Sequence, residues 1–159
     1  MDIEAKKERL KKYLSLRKEI DNELERLIRM RNEEKIPAMK QGDGSKKTGG
    51  ASDRMANAVV RRMAYEEEKM PIIEANQEEV AKIDRAIASL PDPLEREMLR
   101  MRYTDSDTYR HRKWREIAVM IYGDDEDRFI LAVHRLHSRA LQNIVFEDEH
   151  QNENSEVID

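Results

Sequence analysis

Apolar residues recur with helical spacing across most of this chain. Ile3, Leu10, Tyr13, Ile20, Leu24 and Leu27 fall on heptad steps, and Leu14 and Ile28 widen the stripe. This pattern predicts one long helix over residues 2–35. Arg17 and Arg31 stand at seam positions, which makes the seam short or imperfect. Pro37 ends the helix, and Gln41–Ser52 reads as a flexible polar connector rich in glycine and lysine. Ser52 or Asp53 can cap a second helix from about Arg54 to Leu90. Its apolar face runs through Met55, Val59, Met63, Met70, Ile73, Val80, Ile83 and Ile87. Pro71 is expected to bend it, because a mid-helix proline removes one backbone hydrogen bond. Two helices of roughly 35 residues, each about 50 Å long, make an antiparallel hairpin over residues 1–90. The methionine stripe reads as plain core.

Leu90-Pro91-Asp92-Pro93 separates this hairpin from the C-terminal helices, and Asp92 or Pro93 starts the first of them. Leu94, Met98, Leu99, Met101 and Tyr103 give that helix a core face. A polar loop, Thr104–Lys113, leads to a helix over about Arg112–Tyr122 that buries Trp114, Ile117, Ala118 and Ile121. A turn containing Gly123 precedes a last helix over about Asp125–Phe146. That helix buries Ile130, Val133, Leu136 or His137, Ala140, Leu141 and Ile144. The fold class expected is all-α.

Composition narrows the setting. The chain has 159 residues, 40% of them charged, with five glycines and four prolines, so long stretches are free of helix breakers. Zero cysteines remove disulfides, zinc fingers and thiol catalysis, and fit a reducing cytoplasm. No apolar run approaches the roughly 20 residues needed to cross a bilayer, and the N-terminus lacks the apolar core of a signal peptide. A cytoplasmic protein without membrane contact is expected. The net charge of −4 arises in the tail: residues 147–159 hold six acids and no lysine or arginine. That tail reads as disordered, serving as a DNA mimic, a partner contact or a solubilising extension.

The motifs are concentrated between residues 51 and 145. Leu90-Pro91, Arg96, Met101-Arg102-Tyr103, Trp114-x-Glu116-Ile117-Ala118 and Val133-x-x-Leu136-His137-x-Arg139-Ala140-Leu141 together resemble region four of bacterial sigma factors. With Asp53-Arg54-Met55-Ala56-Asn57-Ala58-Val59, the chain is more closely similar to phage and prophage late-gene transcriptional regulators of the ArpU and RinA type. The resemblance implies a helix-turn-helix module over residues 91–146. It departs in the acidic turn Asp124-Asp125-Glu126-Asp127 and in the longer Thr104–Lys113 stretch.

In a helix-turn-helix the second helix enters the major groove. The last helix presents Arg128, Leu131, His134, Arg135, Ser138 and Arg139 outward. Arginine matches guanine O6 and N7, so Arg128, His134 and Arg135 are candidate base readers. Arg139, Arg112, Lys113 and Arg115 are candidate phosphate ligands. The competing reading is a solvated face paired with neighbouring acids. The partners expected are double-stranded DNA, host RNA polymerase, and further copies of the chain through residues 1–90. Leu14, Leu16, Ile28 and Met70 exceed what two helices can cover.

Other chemistry fits poorly. Lys46 stands where a phosphate-binding loop needs glycine. Asp105, Asp107 and Glu116 have calcium-loop spacing, but Arg110 occupies the glycine position. His134 and His137 are three apart with no third metal ligand in range, so no metal or cofactor is expected. Asp124–Asp127 reads as helix capping rather than catalysis, and Trp114 as core rather than a base-stacking platform. The function expected is sequence-specific transcriptional regulation of phage or prophage genes, without enzymatic activity. The alternatives are an interaction module that binds polymerase or another factor without DNA specificity, and a small DNA-packaging (terminase) subunit.

Overall fold

A computed structural model describes residues 1–35 and 50–153. Every regular element in them is helical: α1 (Ile3–Lys35), α2 (Gly50–Ala88), α3 (Pro93–Leu99), α4 (Trp114–Tyr122), α5 (Asp127–Asn143) and α6 (Glu147–Glu153). A π-helical turn, Arg100–Thr104, continues from α3. Pro37 and the connector as far as Gly49 lie outside the described residues. No helix among the described residues is long and apolar enough to cross a membrane.

The chain forms two packing units. One comprises Met1–Lys18 with Glu78–Asp159, the other Glu19–Gln77. The division expected near residue 90 therefore does not describe the packing. Leu10, Tyr13 and Leu14 of α1 and Ile83, Ala86 and Ile87 of α2 share one buried core with α3, α4 and α5. Leu14, expected to be surplus apolar surface, is fully enclosed there. A long amphipathic helix can serve different neighbours along its length, and a linear reading does not show where they change.

Local chemistry explains the element boundaries in this larger unit. Asp92 caps α3 by accepting the Leu94 amide at 2.9 Å, with Pro93 at the first helical position. After Leu99 the backbone widens, and the Asp105 amide reaches the Arg100 carbonyl at 2.8 Å. Met98, Leu99 and Tyr103 are buried, but Leu94 points outward. Gly123 ends α4 at φ 79°, donating to the Val119 carbonyl at 2.9 Å, and only glycine takes this left-handed conformation without strain. α5 begins at Asp127 and ends at Asn143, shorter at both ends than expected. Of the turn acids, Asp124 accepts the Glu126 amide at 3.2 Å and Asp127 lies in the first turn of α5. Glu126 itself makes no side-chain cap. Leu136 and His137 are both buried, so α5 encloses the pair rather than one of the two.

The expected disordered tail needs correction. Glu147–Glu153 is helical, α6. Phe146 inserts fully into the core just before it, with the Arg9 guanidinium 4.4 Å from its ring centroid. Asp148 pairs with Arg9 at 2.9 Å and Lys82 at 3.4 Å, and Glu147 with Arg85 at 2.5 Å. These partners hold the carboxyls of Glu147 and Asp148 below their usual range, mainly through the hydrogen bonds from Arg85 and Arg9 respectively. Lys6, itself buried, donates to the Ile144 carbonyl at 2.6 Å.

In the second unit, Ile20, Leu27 and Ile73 are buried. Arg31–Glu66 at 3.0 Å and Arg62–Glu66 at 3.1 Å join an Arg62–Glu34 pair. The methionine stripe is not plain core: Met55 and Met63 are exposed, as are Ile28, Val60 and Ile72. α2 begins at Gly50, ahead of both expected caps, and continues through Pro71.

Candidate nucleic-acid interface

α4, α5 and the two residues before α4 carry the eight candidate side chains, and the geometry starts from the core shared by the two helices. Ile117 and Ala118 of α4 and Val133, Leu136, Ala140 and Leu141 of α5 are buried against each other's neighbours. Burying those positions leaves residues 128, 131, 134, 135, 138 and 142 of α5 on the opposite, solvent-facing side. His134, Arg135, Ser138, Arg139 and Gln142 line one shallow depression there. Gln142 is not among the sequence candidates, although it stands one helical step of four beyond Ser138.

The remaining candidates divide. Arg112 and Lys113 line a second depression with Ser106, Thr108 and Arg110 of the preceding loop. Arg115 and Arg128 are exposed on α4 and α5 and belong to neither depression. Arg128 lies over the half-buried Phe129 ring at 4.6 Å and pairs with exposed Glu126 at 3.1 Å. Arg135, Lys113 and Arg115 form no ion pair among the described residues.

Arg139 differs from the others. It meets Glu95 at 2.9 Å and Asp92 at 3.3 Å, and Asn143 donates to both Glu95 oxygens at 3.0 and 3.2 Å. Glu95 is only 2% exposed, so these donors compensate a carboxylate removed from water. The charge of Arg139 is thus matched within the protein, and its first role is to bind α5 to α3.

Behind the exposed face lies an aromatic cluster. The Trp114 ring packs 4.6 Å from His134 and 4.8 Å from His137, with the Arg102 guanidinium 4.2 Å from its centroid. Arg102 also donates to the Arg112 carbonyl, fixing the approach to α4. The Tyr103 hydroxyl and His137 Nε2 are hydrogen-bonded at 2.7 Å. Burial pushes His137 down to about 4, helped by the positive charges of Lys7 and Arg102, and pushes Tyr103 up to about 12. Both are neutral near pH 7. His111, packed edge-on to Tyr103 at 5.6 Å, is lowered in the same way as His137 by burial and by Arg102. Trp114 is therefore half-buried packing, as expected, and it also supports the imidazole of His134.

The exposed α5 face offers cations, an imidazole, a hydroxyl and an amide. Groups of these kinds are the donors that phosphates and base edges accept. Among the described residues, no group of three or more His, Cys, Asp or Glu side chains converges as metal ligands. No protein-family model, curated protein or solved structure matches the chain.

Proposed function

We propose that this protein is a sequence-specific DNA-binding transcriptional regulator of phage or prophage genes. In this reading α4, the Gly123 turn and α5 form a helix-turn-helix, and α5 is the recognition helix. The observation that carries it is the exposed α5 stripe of Arg128, His134, Arg135 and Ser138, at helical spacing opposite a fully buried face. Lys113 and Arg115 at the start of α4 would hold phosphates, and Arg139 would orient α5 rather than supply free charge. The long α1 and α2 helices would form a hairpin. Its exposed Met63, Val60 and Ile28 favour self-association, which would place two recognition helices on repeated half-sites.

The test is recovery and sequencing of genomic fragments bound by the full chain. A shared motif is expected, and fragments without one would reject the proposal. A second reading, an interaction module for polymerase or another factor, is favoured by exposed Val119, Met120 and Tyr122 on α4. Under that reading α5 substitutions leave partner capture intact and α4 substitutions abolish it.

A further inference from the structure

The exposed face of α5 is not uniformly polar. Leu131 is 50% exposed at its centre, three residues after Arg128, three before His134 and four before Arg135. These spacings put all three polar side chains within one turn of it on the same face. A lone exposed leucine elsewhere would need no explanation. Here it interrupts the surface whose other members donate hydrogen bonds, and Arg135 beside it, which forms no ion pair among the described residues, matches the negative potential of DNA.

Within the reading of α5 as a recognition helix, we propose that Leu131 packs on a thymine methyl group in the major groove. The C5 methyl is the one apolar feature that a base pair displays there, and only the thymine-containing pairs display it. Arg128 and Arg135, flanking Leu131 along the helix, would then contact the neighbouring base pairs or their phosphates. The recognised site should therefore hold a thymine under the middle of α5, bordered by positions that depend on the arginines.

The recovered binding site is resynthesised with each thymine replaced in turn by uracil, which deletes only the methyl group. The full chain should lose about four-fold in affinity at one or two positions, the value for burying a single methyl. At those positions Leu131→Ala should bind the thymine and uracil duplexes equally, while Leu131→Met keeps the preference. Unchanged affinity for every uracil duplex, or a Leu131→Ala protein as sensitive as wild type, overturns the assignment and leaves DNA recognition by α5 standing. A Leu131→Ala protein with full DNA affinity that loses a protein partner also overturns it, in favour of a protein-docking role. If wild type selects no motif at all, the underlying DNA reading fails and this inference falls with it.

Discussion

Acidifying the solution from pH 7 to pH 5 should destabilise the larger unit through His137, and substituting that residue should remove this part of the loss. The imidazole is buried, bonded to the Tyr103 hydroxyl, and depressed from an ordinary 6.5 to about 4. Between those two values the unfolded chain binds a proton that the native state refuses. Stability therefore rises with pH across this window and is lost as pH falls through it. A full shift of this size corresponds to about 2 kcal/mol between pH 7 and pH 5, and screening by solvent at the cluster's open edge reduces it to about 1–2 kcal/mol. That is a large fraction of the roughly 5–15 kcal/mol that holds a domain folded. Glu147 and Asp148 also lose stabilisation in acid, but their carboxyls lie below their usual range and so titrate lower. Urea unfolding followed by circular dichroism at half-unit steps from pH 7.5 to 4.5 separates the two effects. His137→Gln can still bond the Tyr103 hydroxyl but cannot titrate, so its stability should fall less steeply than wild type between pH 6.5 and 5. Parallel curves for the two proteins would refute the reasoning, because His137 would then not be held neutral by its surroundings.

Arg135→Ala should weaken binding to the selected DNA site by about 1–3 kcal/mol, measured by fluorescence anisotropy, with helical circular dichroism unchanged. Equal affinity would remove Arg135 from the recognition face. Arg139→Ala should instead lower stability by about 1–3 kcal/mol, because it takes the main partner from buried Glu95, and thermal melting checks this. Phe146→Ala should cost about 3 kcal/mol in urea unfolding by opening a cavity in the core. Removal of residues 147–159 should cost less, since the ion pairs it breaks are no more than half-buried at their carboxylates. The reverse order would mean that the charges, rather than the phenylalanine, anchor the C-terminal segment.

Much of the architecture could be read from the chain. Asp92-Pro93 and Gly123 mark helix boundaries by backbone chemistry that needs no tertiary partner, and both boundaries stand where the local signals put them. Ile117, Ala118, Val133, Ala140 and Leu141 are legible as core because helical periodicity alone selects one face. The failures share a cause. The pairing of Arg139 with Glu95 is hidden because the two stand 44 residues apart in sequence and Glu95 looks like an ordinary surface acid. Glu147 and Asp148 look disordered because their composition is polar. Their order comes from Phe146 seated in the core and from Arg9, Lys82 and Arg85 on α1 and α2. Met55 and Met63 look like core because their spacing is helical, yet spacing does not show how wide an arc the neighbouring helix can cover. In the candidate interface, helical spacing identifies Arg128, His134, Arg135 and Ser138, and Gln142, one helical step of four beyond Ser138, lies on the same face though it carries no charge to single it out.

The chain contains a single tryptophan, Trp114, and the Arg102 guanidinium and the imidazoles of His134 and His137 all pack on it. All indole emission from this protein therefore originates at the junction of α4 and α5. A cation or imidazole packed on the ring alters that emission, so a shift of Arg102 or His134 relative to the indole becomes a change in brightness without any attached dye. The fold thus carries an intrinsic optical probe directly behind the exposed face of α5, and the proposed binding of DNA there can be tested by titration of the unmodified chain.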